Sequence, residues 1–189
     1  MFEEYGSKGF YLHGHHAEEM RQLAPDKRSG GQALQRQTVF QSYADILPAA
    51  VVAGFLWNRR GEPDMDKKET VGIFPEKFLL ISDKLELDYR LIMLLYDKEH
   101  LSAEERVNRA FRYDRQEEKR KIGDEIFFGF LYGGIDFLYE RLIKGSTSTE
   151  EDIERTYDFI QEFSQMTAPE MTSNEAIYEL CREASRQSS

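Results

Sequence analysis

The chain has 189 residues, enough for one domain with its own core. A hydrophobic fraction of 40% and an aromatic fraction of 13% exclude a disordered chain. With 25 basic against 35 acidic residues the net charge is −10, which excludes a general nucleic-acid coat, and a single cysteine, Cys181, excludes an intrachain disulfide framework and a zinc ribbon.

Residues 1–37 form an N-terminal arm that reads differently from the rest. It carries His13, His15 and His16, the glycines Gly6, Gly9 and Gly14, and the loop Ala24-Pro-Asp-Lys-Arg-Ser-Gly-Gly31. A short helix is expected from His16 to Leu23. The arm is too polar and broken to make a core alone, so it is expected to dock elsewhere or to remain a tail. No charged stretch followed by an apolar run opens the chain, so no export signal is expected and the location is expected to be cytoplasmic.

Residues 38–145 form the expected helical core. The longest apolar run, Ile46 to Trp57, is too short to span a bilayer and is closed by Asn58-Arg59-Arg60. Val39–Leu47 and Ala49–Trp57 read as one helix kinked at Pro48 or as two abutting helices. Gly61-Glu-Pro-Asp64 is a turn, and the charged stretch to Glu69 is an exposed loop. Thr70–Phe74 reads as a short extended piece, and Pro75 suits the first turn of a brief helix to Ile81. The next helix, capped by Ser82 or Asp83 and running to about Asp97, is apolar nearly all round, which predicts a central buried helix.

Ser102-Ala-Glu-Glu105 is a capping box and opens a helix to about Tyr113. A long helix from about Arg115 to Lys144 has Ile122, Ile126, Phe130, Phe137 and Leu138 on its inner face. Gly129, Gly133 and Gly134 interrupt it. Each glycine costs a helix about 1 kcal/mol relative to alanine, so the three together predict close packing, with the small residues Ala49–Gly54 as the partner. Residues 146–189 supply two C-terminal amphipathic helices. The box Ser148-Thr-Glu-Glu151 opens one to about Gln165, with Ile153, Tyr157, Ile160 and Phe163 as its apolar face. Thr172-Ser-Asn-Glu175 opens the other to Arg186. Neither sustained strand alternation nor an internal repeat is present. The expected fold is all-α, a single globular domain of about six to seven helices with an irregular arm.

Four constellations bear on chemistry. His13, His15 and His16 suit zinc or nickel, and His15 would share a helix face with Glu19; with no second ligand cluster in the sequence, a solvated tail is the expected reading and metal binding the alternative. Arg106, Arg109, Arg112 and Arg115 recur every three residues and could contact phosphates or pair with neighbouring glutamates; a charged face is expected. Arg59 and Arg60 sit where an apolar helix ends, a position the exposed carbonyls favour for cations, with an anion contact as the alternative. Asp88 and Asp136 fall in apolar helical runs and need partners, for which Arg90 and Arg141 are the candidates. The nucleophile-elbow, phosphate-loop, dinucleotide and zincin motifs are absent, and no catalytic residue or cofactor is assigned.

Val52-Ala-Gly-Phe-Leu-Trp-Asn-Arg-Arg-Gly-Glu-Pro63, Tyr89-Arg-Leu-Ile-Met-Leu-Leu-Tyr-Asp-Lys-Glu99 and Phe128-Gly-Phe-Leu-Tyr-Gly-Gly-Ile-Asp-Phe-Leu138 carry a family resemblance over roughly residues 39–143. This stretch resembles the small proteins associated with bacterial DNA phosphorothioation (sulfur-modification) islands. The family's paired glutamates are replaced here by Phe128 and Gly129, so no polar site is carried over. The resemblance implies a bacterial accessory protein in a DNA-modification or phage-defence setting and supplies no reaction. The expected function is a non-enzymatic interaction subunit with a protein partner, no membrane contact, and a homodimer as one expected arrangement. The alternatives are nucleic-acid binding through the arginine stripe with Arg59 and Arg60, or a metal-dependent enzyme.

Overall fold

The computed structural model describes residues 3–25, 38–113 and 116–167. Among them are eight helices and one two-stranded sheet. The order is α1 (Glu3–Lys8), β1 (Phe10–His13), α2 (Gly14–Leu23), α3 (Tyr43–Leu56), β2 (Thr70–Ile73), α4 (Pro75–Leu79), α5 (Ser82–Leu95), α6 (Ala103–Phe111), α7 (Glu117–Leu142) and α8 (Thr149–Thr167). The fold is all-α; its small antiparallel sheet pairs Phe10 with Ile73 and His13 with Thr70.

α7 is the centre of the molecule. Twelve of its residues are buried, and its contact with α3 is the most extensive in the fold. The small residues explain the closeness. A Cβ on Gly134 would lie 1.8 Å from the Ala50 carbonyl oxygen, and one on Gly54 would lie 2.1 Å from that of Phe130. Backbone therefore packs on backbone where the two helices cross. Gly129 and Gly133 serve a different neighbour: they accommodate the Arg59–Gly61 segment, with a Gly133 Cβ 2.5 Å from the Arg59 carbonyl oxygen. Pro48 lies inside α3 as one continuous helix, and its start is set back to Tyr43.

The N-terminal segment is not a solvated tail over its described part. Phe10, Leu12, Ala17, Met20 and Leu23 are all core residues. β1 alternates buried and exposed side chains, and α2 buries its His16–Met20–Leu23 face on α7. Tyr5, Phe10, Phe78 and Phe128 form an aromatic cluster with ring centroids 5.2–6.1 Å apart. Large aromatic side chains dominate burial energy, which offsets the cost of ordering a polar segment.

α5 is a surface helix rather than the central one. Leu85, Tyr89, Ile92 and Met93 are buried, while Leu87, Leu91 and Leu95 are exposed. α8 also turns a different face inward. Phe159 and Phe163 stack with Trp57, whereas Ile153, Tyr157 and Ile160 face solvent. The expected last helix, 172–186, lies outside the described residues. Among the described residues no helix is long and apolar enough to cross a membrane.

Candidate metal centre

Three segments far apart in sequence meet beside α7. α2 begins at Gly14 with no side-chain cap of its own. Asp64, delivered by the loop that follows α3, supplies the cap instead: the His15 backbone N–H donates to Asp64 Oδ2 at 2.9 Å. The Asp66 N–H donates to Asp64 Oδ1 at 2.9 Å. These two backbone donors, with the His15 side chain, hold the Asp64 carboxyl well below the usual carboxylate range. Gly14 is required here twice over. Its φ is +55°, and a Cβ would lie 1.9 Å from the Asp64 carboxylate oxygen.

The loop itself is clamped to α7. Asn58 adopts a left-handed conformation, φ 51°, and ends α3 as the Arg59 N–H donates to the Gly54 carbonyl at 2.7 Å. The Gly61 N–H then donates to the Gly129 carbonyl at 2.9 Å. The glycines of α7 thus do more than admit α3. They seat the loop segment that carries Arg59 and Arg60 and leads on to Asp64.

His15 Nδ1 lies 2.7 Å from Asp64 Oδ2. An ionised Asp64 accepts from Nδ1, which leaves Nε2 as the ring nitrogen turned toward α7. That Nε2 lies 3.3 Å from Asp136 Oδ1 on α7. His16 Nε2 lies 3.3 Å from the same oxygen, and the His16 side chain is 1% exposed. Neither His16 nitrogen has a hydrogen-bond partner, and neither does Asp136 Oδ1. The 3.3 Å approaches are therefore not aligned hydrogen bonds. One ligand atom from each of His15, His16 and Asp136 fits within 4.8 Å of the other two. Zinc held tetrahedrally by bonds of about 2.0–2.1 Å separates its ligand atoms by about 3.3 Å. The hydrogen bond from His15 Nδ1 to Asp64 is the outer-shell contact that fixes the tautomer of a metal-binding imidazole.

Glu19 and Glu140 border the same cleft of about 470 Å³, together with Asn58, Arg59, Arg60 and Gly133. Burial, and then the Asp136 carboxylate, push Glu19 up to about 8. Burial works to raise Asp136 too, but the His16 and His15 rings and the proton of Glu19 outweigh it and hold Asp136 below its ordinary value. Arg59 Nη2 donates to Glu140 Oε2 at 2.8 Å, and Arg60 lies over the Phe130 ring at 5.6 Å.

The expected site residues thus separate into two groups. His15 joins Asp136, Arg59 and Arg60 in one cleft, and the buried His16 reaches the Asp136 carboxylate from beneath it. His13 does not; its Nδ1 meets the Thr70 hydroxyl at 2.9 Å on the other strand. The arginine stripe is engaged within the protein. Arg106 donates to the Leu94 carbonyl at 2.6 Å, Arg109 to Glu105 at 3.1 Å and Arg112 to Asn108 at 2.9 Å. Arg115 lies outside the described residues. Neither expected carboxylate partner holds: Arg90 pairs with Glu86 and Arg141 with Glu162. Asp88 sits on α5, away from the cleft, and burial raises it to about 6. Asp64 and Glu19 are the site residues sequence reasoning left in the background. The His15–Glu19 spacing was the one local signal; nothing local points to Asp64.

Comparison with family models, with curated proteins and with solved structures finds no match to this chain.

Proposed function

We propose that the chain is a metal-binding helical domain whose cleft takes a divalent transition metal through His15, His16 and Asp136. One observation carries the reading. The buried His16 ring, without a hydrogen bond, and the His15 ring converge at 3.3 Å on one oxygen of Asp136. The two imidazoles share that one carboxylate oxygen at 3.3 Å, and a shared cation would satisfy both imidazoles and the carboxylate at once. Two imidazoles with one carboxylate suit zinc and its first-row neighbours rather than calcium or magnesium. Three protein ligands leave a position open, as in centres that bind an outside ligand rather than in closed structural sites. The resemblance of residues 39–143 supports a bacterial accessory role in a DNA-modification or phage-defence assembly, to which the metal would be this chain's contribution.

The test is zinc titration of tag-free protein by calorimetry. The expected result is one zinc per chain with a Kd of about 1 μM or tighter. His15→Gln and Asp136→Asn should each weaken it by about tenfold or more with the helical circular dichroism retained. His15 is half-exposed, so its replacement leaves the core intact. Absence of zinc uptake, or uptake indifferent to both substitutions, overturns the reading.

A second reading, the interaction subunit, is favoured by the exposed Leu87, Leu91 and Leu95 at four-residue spacing on α5. Capture of a partner from the native host, lost on Leu91→Glu, would support it; a clean null with the wild-type chain would sink it.

A further inference from the structure

We infer that the metal-loaded cleft binds a phosphate ester, whose oxyanion takes the open coordination position and pairs with Arg60. This rests on the metal reading above. The loop after α3 is the first ground. Its first part, Arg59–Gly61, is fixed by two backbone hydrogen bonds, Arg59 N–H to Gly54 and Gly61 N–H to Gly129. Arg59 and Arg60 both line the cleft that His15 and Asp136 line, on a backbone fixed in place.

The two arginines are held differently. Arg59 is bound to Glu140 and lies over Phe137 at 5.7 Å. Arg60 lies along Gly129 and over Phe130, and among the described residues it makes no ion pair. A stacked guanidinium keeps its planar donor edge for a ligand, and that edge matches the oxygens of a phosphate. Gly129 makes room for it: a Cβ there would lie 3.1 Å from Arg60 Nε.

Charge completes the argument. Arg59 and Arg60 balance Asp136 and Glu140 along the cleft wall. A divalent cation tips that balance to positive, so the metal and the anion are bound in order. A volume of about 470 Å³ accepts a phosphate ester beside the metal.

The experiment uses the cobalt(II)-loaded full chain and reads the visible d–d absorption. Phenyl phosphate should shift the bands and saturate below about 10 mM. Arg60→Gln, read at full cobalt loading, should weaken that saturation by about tenfold. The metal-free protein should not bind phenyl phosphate by calorimetry. A parallel titration with diphenyl phosphate assigns the site to a monoester or a diester by whichever binds tighter. Bound cobalt whose spectrum ignores both esters, or an Arg60→Gln variant that binds them as well as wild type, overturns this inference while the metal site stands. Failure to take up cobalt removes both.

Discussion

Replacing Gly134 by alanine tests the α3–α7 contact on which the cleft is built. Alanine is the better helix former by about 1 kcal/mol, so propensity alone predicts a stabilised protein. The structure predicts the reverse. The new Cβ would lie 1.8 Å from the Ala50 carbonyl oxygen, which is helix backbone and cannot swing aside. Normal C···O contact is roughly 3.3 Å, so the helices must part by about 1.5 Å over their most extensive interface. Overpacking of this kind costs about 1–3 kcal/mol, and more where backbone must move. We expect a net loss of about 3 kcal/mol after the propensity gain. For a chain of this length that lowers Tm by about 6–12 °C. Gly129→Ala is the internal control. Its Cβ meets only the flexible Arg60 side chain at 3.1 Å, so its stability should fall within about 1 kcal/mol of wild type. Urea unfolding of both variants decides the matter. A Gly134→Ala protein as stable as Gly129→Ala would refute the backbone-contact argument.

Other outcomes follow from the same structure. Asp64→Asn should lower zinc affinity by about 10–100-fold in a chelator competition, because it loosens the hold on the His15 tautomer. Asp88 has a folded pKa of about 6 against an ordinary 3.8, so its contribution to stability is present below pH 3.8 and is lost as pH rises through about 6. Asp88→Asn should therefore match wild type near pH 4 and exceed it at pH 8. With half the side chain still solvated, the gain should be about 1 kcal/mol rather than the full value of the shift, read from urea midpoints at the two pH values. The Ser102 hydroxyl accepts from the Glu105 N–H at 3.1 Å, so Ser102→Ala should cost about 1 kcal/mol, measured by the same unfolding assay.

Local signals in the sequence carry much of this fold. The serine caps at 102 and 148 accept from Glu105 and Glu151 as their spacing implies. Pro75 starts α4, and Gly54 and Gly134 meet across α3 and α7. Three features were not legible. Phe10-Tyr-Leu-His13 is too short for its alternation to stand out, and its burial depends on Phe78 and Phe128, which lie far along the chain. The apolar content of α5 and α8 does not say which face turns inward; Trp57 decides that for α8 by drawing Phe159 and Phe163 onto itself. The cleft is the third. His15 and Glu19 are one helical turn apart, but Asp64 and Asp136 reach them only through tertiary packing, and periodicity holds no information about such distances.

The most direct measurement is X-ray absorption at the zinc edge on the tag-free, zinc-loaded chain, because it identifies the ligands themselves. The account predicts imidazole scattering from two histidines with a carboxylate oxygen, all at about 2.0–2.1 Å, and one imidazole fewer in His15→Gln. A shell of oxygen alone, or a shell unchanged by His15→Gln, would contradict a centre built on His15, His16 and Asp136.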